Sequence, residues 1–348
     1  MREVIRKGVN RMLANEGLQH ALWSAGIHYD TDNIHVHVAT VEIIPMRKRK
    51  NYKKYEIERN EKNKLVHKKP VVDKNGEHIF DEVCGEVPFL TYPLFEKTGV
   101  VKSAFSTRIG GVSKGCYESM NLSFDRGDDK DAVMENFQRI ASAIGTNCHD
   151  MVLSRQTHTA NVRVVTEEDK GKGIVRERDY TDVDGLVTNV PGICLVTSYA
   201  DCVPLYFVDP IKKVIGLSHS GWRGTVGKIG KETVRVMKEH FGCDPADILA
   251  AVGPSICQDC YEVSGDVIEK FKEAFDEKDW DNLFYRKNNG KYQLDLWKAN
   301  ESVFRESGIC KEHIAVTNVC THCNSKILYS HRETGDKRGN LCAFLALK

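Results

Sequence analysis

The chain has 348 residues, enough for a large buried core and for one to three domains. Lys+Arg 50 against Asp+Glu 49 leave a formal net charge of +1, which excludes a global polyanion-binding signature. No apolar run approaches membrane-spanning length and Met1-Arg-Glu-Val-Ile-Arg-Lys7 has no signal-peptide core, so a cytoplasmic protein without a membrane partner is expected, its 12 cysteines read as reduced thiols.

Residues 1–46 read as a short helix, with Val4, Ile5, Val9, Met12 and Leu13 on a near-helical period, and then a strand–turn–strand. The turn is Asp30-Thr-Asp-Asn33 and the returning strand Ile34-His-Val-His-Val-Ala-Thr-Val41. Alternation puts His35 and His37 on one face, and an antiparallel partner brings His28 beside them, a set suited to a divalent metal. The string His28-Tyr-Asp-Thr-Asp-Asn-Ile-His-Val-His37 resembles the metal-binding motif of mobilisation relaxases, which nick single-stranded DNA with a Tyr nucleophile. That Tyr lies N-terminal to the motif in such enzymes, and no Tyr precedes Tyr29. The expectation is a truncated relaxase-like fragment without nicking activity. Residues 47–83, with Arg47-Lys-Arg-Lys50, Lys53-Lys54 and Lys68-Lys69, read as a charged, solvated linker and not as a nucleic-acid contact.

Beyond residue 84 the character changes. Asp131 to Ile144 predicts a helix, with Val133, Phe137, Ile140 and Ile144 on one face, Asp128 or Asp129 at its start and Gly145 as its stop. The runs Ile193-Cys-Leu-Val-Thr197, Val203-Pro-Leu-Tyr-Phe-Val208 and Val214-Ile-Gly-Leu217 predict buried strands. Cys202 and His219 then fall at strand ends, where a rigid sheet can aim them at one point. Arg155-Gln-Thr-His158 offers a second imidazole. Two His and one Cys make a three-ligand zinc set with a fourth position open, the pattern of a catalytic metal. Asp201, beside Cys202, is read as an orienting group, a proton acceptor or a turn acceptor.

Gly221-Trp-Arg-Gly-Thr-Val-Gly-Lys-Ile-Gly230 leads into an amphipathic helix reaching Phe241. Glycines at its entrance let the backbone approach a ligand, and Arg223 adds a fork-shaped donor for an anion. Cys257-Gln-Asp-Cys260 and Cys320-Thr-His-Cys323 have the spacing of a four-cysteine zinc ribbon. Arg332 and Arg338 are candidates for ligand contact or for a C-terminal structural role.

From Val87 onward the chain resembles the laccase-like multicopper polyphenol oxidoreductases, a family better regarded as purine nucleoside phosphorylases. The resemblance runs through Phe105-Ser-Thr-Arg-Ile-Gly-Gly-Val-Ser113, Asn121-Leu-Ser-Phe-Asp-Arg-Gly-Asp-Asp129, Gln156-Thr-His158 and Asp184-Gly-Leu-Val-Thr188. It continues through Ala200-Asp-Cys202, His219-Ser-Gly-Trp-Arg-Gly224, Gly253-Pro-Ser-Ile256, Tyr261-Glu-Val263 and Leu294-Asp-Leu296. The resemblance implies a mixed α/β (α+β) fold, a single catalytic domain over residues 84–348 with layers in the order α/β/β/α. It also implies one zinc per chain held by His158, Cys202 and His219, with copper as an adventitious substitute. The implied activity is phosphorolysis of adenosine, inosine, guanosine and methylthioadenosine to free base and (methylthio)ribose 1-phosphate, with adenosine deamination as a side activity. Purine nucleosides and phosphate are the expected partners, and the assembly a monomer or homodimer. Cys202, His219 and Asp201 are the expected catalytic group. Phosphate is assigned to Arg223, Arg108, Ser119 and Arg139; Phe137 follows Asn136 where many relatives carry Arg, which leaves Arg139 as the nearby substitute. The Cys257–Cys260 pair sits in a loop of the family that needs no second metal, and none is expected there.

Three other chemistries compete with phosphorolysis. Zinc-water hydrolysis uses the same ligands, although the His-x-Glu…Cys-x-x-Cys pattern of base deaminases is absent from the sequence. A cysteine hydrolase would use Cys202 as nucleophile with His219 or His158 as base. A copper-dependent phenol oxidase needs more paired His ligands than the region after residue 84 contains.

Overall fold

In the computed structural model the described residues are 87–348, together with the backbone of strands Ala21–Tyr29, Ile34–Glu42, Ile57–Arg59, Leu65–Val72 and His78–Cys84. Two sheets dominate. The eight-stranded one runs, in spatial order, Ile57–Arg59, Leu65–Val72, His78–Cys84, Phe89–Thr91, Val101–Ser106, Leu341–Leu347, Cys194–Tyr199 and Met151–Leu153. The six-stranded one runs Ile314–Val316, Leu249–Val252, Val203–Asp209, Val214–Ser220, Gly185–Thr188 and Val162–Val164.

Strand Val203–Asp209 is buried at every position because both its faces are covered. Tyr206 and Val208 point inward, where they pack with Ile215, Leu217 and Leu186 against Leu195, Phe105, Ala343 and Leu345 of the other sheet. Leu205 and Phe207 point outward, onto a layer that includes helices Ile229–Phe241, Gly265–Ala274 and Leu296–Glu306. The outer face of the larger sheet, including Ala104, Val196 and Phe344, packs on helix Lys130–Ile144. The layers are therefore α/β/β/α, as the resemblance implies.

Helix Lys130–Ile144 has the expected boundaries for the expected reasons. The Asp129 carboxylate caps it by accepting from the Asp131 N–H, and Gly145 ends it in the left-handed region at φ 68°. Val133, Phe137 and Ile140 are buried, with Phe137 stacked on Phe124 at 5.6 Å between ring centroids. The helix expected after Gly221 differs. It is two pieces, Trp222–Val226 and Ile229–Phe241, broken where Lys228 adopts φ 56°. Gly227 and Lys228 turn the chain so that Gly230 meets Val303 and Phe304, a contact tight enough that a Cβ there would lie 3.2 Å from Val303.

The front of the chain also departs in part from its expectation. The hairpin expected in residues 1–46 is an antiparallel pair whose register sets His28 opposite His35. The helix expected before it lies outside the described residues. Within the charged stretch 47–83, segments Ile57–Arg59, Leu65–Val72 and His78–Cys84 extend the eight-stranded sheet through Phe89–Thr91. Lys68 and Lys69 lie in Leu65–Val72, which is paired on both sides, so charge density alone does not mark a linker. Among the described residues no helix is long and apolar enough to cross a membrane.

Candidate metal centre

The chain leaves the larger sheet at Tyr199 and enters the smaller one at Val203, and the turn between them is Ala200-Asp-Cys202. The antiparallel register pairs Pro204 with His219 and Val203 with Ser220, so Cys202 stands one residue beyond the pairing, beside His219. His158 arrives from the segment between strands Met151–Leu153 and Val162–Val164, at φ 68°. One ligand atom from each of His158, Cys202 and His219 lies within 4.8 Å of the others. The Cys202 Sγ to His158 Nε2 distance is 3.9 Å, and the two imidazoles meet edge-on at 4.9 Å between centroids.

Asp184 organises this arrangement. Fully buried, it accepts from His219 Nδ1 at 2.8 Å, from the backbone N–H of Thr157, His158 and Thr159, and from the Thr159 hydroxyl. Burial pushes its carboxyl up, but the hydrogen bond and charge of His219 and the backbone N–H bonds together outweigh it and bring the carboxyl to about 2. With Nδ1 tied to the carboxylate, His219 is left with Nε2 for the centre. Burial pushes the Cys202 thiol up, but the charge of His219 and hydrogen bonds to His158 and His219 outweigh it and bring it to about 6. His219 is drawn the other way: burial lowers it, and Cys202 and Asp184 raise it to about 9.

The donor set fits zinc. A tetrahedral zinc with bonds of about 2.3 Å to sulfur and 2.0 Å to nitrogen separates two such ligands by roughly 3.6 Å, close to the spacing of Cys202 and His158. One thiolate and two imidazoles also suit copper. His158 is exposed, Cys202 half-buried and His219 buried, so the cluster has one solvent-facing side. Gly221 closes the other side at contact distance. A Cβ there would lie 2.9 Å from His158 Cδ2 and 3.1 Å from Cys202 Sγ. Gly221→Ala is therefore expected to displace both ligands and to cost the protein most of its bound metal, which elemental analysis of the purified variant checks.

The other expected site residues separate into groups. Asp201 is a buried acceptor at φ 84°: its carboxylate takes the Thr321 hydroxyl at 2.5 Å, the Ser330 hydroxyl at 3.0 Å and the Arg332 N–H at 2.7 Å. It holds the C-terminal loop against the Cys202 turn. Arg223 is exposed and stacks on Trp222 with its guanidinium carbon 4.3 Å from the ring centroid. Among the described residues no hydrogen bond or ion pair engages that guanidinium. Arg108 spends its donors on the carbonyls of Glu118 and Ser325 and lies over Tyr329. The Ser119 hydroxyl donates to the Arg108 carbonyl and accepts from Gly111 N–H. Arg139 pairs with Glu135 at 2.8 Å and reaches the Gly110 carbonyl.

Arg332 also donates to the Glu262 carbonyl, and Arg338 is buried against Gly339 and Asn340. Burial, reinforced by the charge of Arg126, lowers Arg338 to about 10. The Nε atoms of Arg126 and Arg338 are buried without a partner among the described residues. A cleft of about 570 Å³ beside Arg155, lined in part by Lys130, Arg176, Glu177, Arg178 and Tyr180, shares no residue with the cluster and contains no His or Cys. The four cysteines 257, 260, 320 and 323, whose spacing resembles a zinc ribbon although the family loop needs no second metal, converge on one point.

Residues 102–348 match the family described as multi-copper polyphenol oxidoreductase laccase, and residues 1–90 match MobL relaxases. A Bacillus subtilis protein named purine nucleoside phosphorylase YlmD is 36% identical over 252 residues, 71% of this chain and 89% of that relative. A protein named adenosine deaminase RL5, from an unknown prokaryotic organism, is 36% identical over 247 residues, 70% of this chain and 94% of its own length. The crystal structure of YlmD from Geobacillus stearothermophilus superposes with a TM-score of 0.70 at 33% identity, covering 75% of this chain and 96% of that one. On this shared fold and sequence, the chain belongs to the multi-copper polyphenol oxidoreductase laccase family, behind a front segment that resembles MobL relaxases.

Proposed function

We propose that the protein is a zinc-dependent purine nucleoside phosphorylase acting on adenosine, inosine, guanosine and methylthioadenosine. The observation that carries this reading is the convergence of His158, Cys202 and His219 where the chain crosses between sheets, with one open side. The reading is also supported by Arg223, an uncommitted guanidinium on the turn that follows His219. In the reaction a phosphate oxygen attacks C1′ of the ribose and the bond from C1′ to the purine nitrogen breaks. The purine leaves with the electron pair and takes up a proton, giving free base and ribose 1-phosphate.

Arg223 binds the phosphate with its planar fork of donors. Asp184 keeps His219 in one tautomer, and Gly221 holds the backbone close enough for the ligands to converge. His158, Cys202 and His219 would hold the zinc, which would supply Lewis-acid polarisation of a substrate oxygen. Arg108, Ser119 and Arg139 support the site by shaping the loop around Gly110 and Gly111. Deamination of adenosine is a second reading, favoured by the same open position and by the name of one relative. The hairpin of residues 1–46 takes no part in either.

Incubation with adenosine or inosine, with and without phosphate, tests the proposal through the free base and ribose 1-phosphate released. Base released only with phosphate is the expected result. Equal release without phosphate would make the protein a hydrolase, and inosine formed from adenosine without free base would make it a deaminase. Arg223→Ala is expected to raise the phosphate KM by about 10- to 100-fold, the loss of a hydrogen bond to a charged group, while zinc content stays unchanged. A variant with unaltered phosphate KM would move phosphate binding elsewhere, first to Arg338.

A further inference from the structure

We propose that Cys257, Cys260, Cys320 and Cys323 form a second, structural zinc site that staples two loops together beneath the Cys202 turn. The first loop follows strand Leu249–Val252 and the second follows Ile314–Val316, neighbours in the smaller sheet. Each loop contributes one Cys-x-x-Cys pair, and the four sulfurs lie within 4.8 Å of one another. The Sγ atoms of Cys260 and Cys323 are 3.6 Å apart. Two thiolates on a tetrahedral zinc, with bonds of about 2.3 Å, stand roughly 3.8 Å apart, whereas a disulfide closes to about 2.05 Å.

The backbone is already arranged for thiolates. Cys320 Sγ accepts the N–H of Cys257 at 3.3 Å, from the facing loop, and the N–H of Cys323 at 3.4 Å, from its own. Such bonds stabilise negative charge on sulfur. The loops are further joined by Ser255 N–H to the Val319 carbonyl and Thr321 N–H to the Ser255 carbonyl. On binding, each thiol gives up its proton to solvent and forms one sulfur–zinc bond. Four thiolates around one divalent cation leave a net charge of −2 and no open position, which is structural and not catalytic coordination. No ligand is shared with the cluster at His158. The consequence for that cluster is positional: Ile256 N–H, from the first loop, donates to the Asp201 carbonyl, and Thr321, from the second, donates to the Asp201 carboxylate.

The test counts metal and thiolates in the full chain, neither of which depends on which reaction the enzyme catalyses. Zinc is measured by elemental analysis in the wild type, in Cys202→Ala and in Cys260→Ser/Cys323→Ser. The wild type is expected to hold one zinc at each cluster, and each variant to lose one equivalent and keep the other. Cobalt substitution supplies the second measurement. In Cys202→Ala the remaining cobalt should keep roughly four-fifths of the wild-type sulfur-to-metal charge-transfer absorption, because four of the five cysteine ligands remain. If the double serine variant fails to fold, the Cys202→Ala measurement still decides. A Cys202→Ala protein without metal would overturn the proposal, as would a disulfide between Cys260 and Cys323 found by mass spectrometry in protein purified under reducing conditions.

Discussion

Replacing Cys202 by alanine is expected to remove one zinc per chain and to lower kcat/KM for phosphorolysis at least about a thousandfold, roughly 4 kcal/mol of transition-state stabilisation. The substitution deletes the only anionic ligand of the cluster and leaves two imidazoles, which hold zinc poorly on their own. The charge of His219 and the hydrogen bonds around the thiol bring Cys202 to about 6 against the effect of burial, and the proton that metal binding must displace is the one held on His219, which Cys202 and Asp184 raise to about 9. Folding should survive the change, because Cys202 is half-buried at the start of a strand anchored by Val203 to Asp209. The same variant separates metal chemistry from nucleophilic catalysis. If it keeps the zinc of the cluster and yet loses all activity, Cys202 attacks substrate directly, and a cysteine hydrolase replaces the proposal.

Asp184→Ala is expected to be the most destabilising single change at the site, at about 3–5 kcal/mol, read from denaturant unfolding. It removes the shared acceptor of the Thr157, His158 and Thr159 N–H groups and leaves the buried His219 imidazole without its carboxylate. Asp184→Asn keeps the volume and part of the accepting capacity but removes the charge. For that variant the expected effect is a metal affinity 10- to 100-fold weaker, measured by competition with a chelator, in a protein that still folds. Equal metal affinity in Asp184→Asn and wild type would show that the carboxylate only supports the loop and does not tune the ligand.

The features legible in the sequence share one property: their signal is local. Val203–Asp209 and Val214–Ser220 announce themselves by unbroken apolar runs, and helix Lys130–Ile144 by its periodicity and its cap at Asp129. The pairing of Cys202 with His219 follows once both are placed at adjacent strand ends. Asp184 sits inside a motif that is easily quoted, but its work is done on residues 157–159 and 219, and nothing near it in the chain says so. The break at Gly227 and Lys228 was hidden by an amphipathic pattern that continues across it. Arg108 looks available in sequence, yet only the folded loop reveals the carbonyls that occupy it. The two Cys-x-x-Cys pairs have the spacing of a zinc ribbon, but whether they meet is decided by the parallel pairing of Leu249–Val252 with Ile314–Val316, a long-range event.

Strand Leu341–Leu347 lies between Val101–Ser106 and Cys194–Tyr199, hydrogen-bonded to both. On the ribosome these two flanking strands emerge long before the one that joins them, and each waits with an open edge. The larger sheet can therefore close only after residue 347 has cleared the exit tunnel, so assembly is obligatorily late, and edges left waiting in this way are prone to aggregate. A premature stop ahead of Leu341 would not yield a shortened enzyme. It would yield a chain whose inner sheet face, with Phe105 and Leu195, has lost Ala343 and Leu345 from the same core, a substrate for chaperones and proteases.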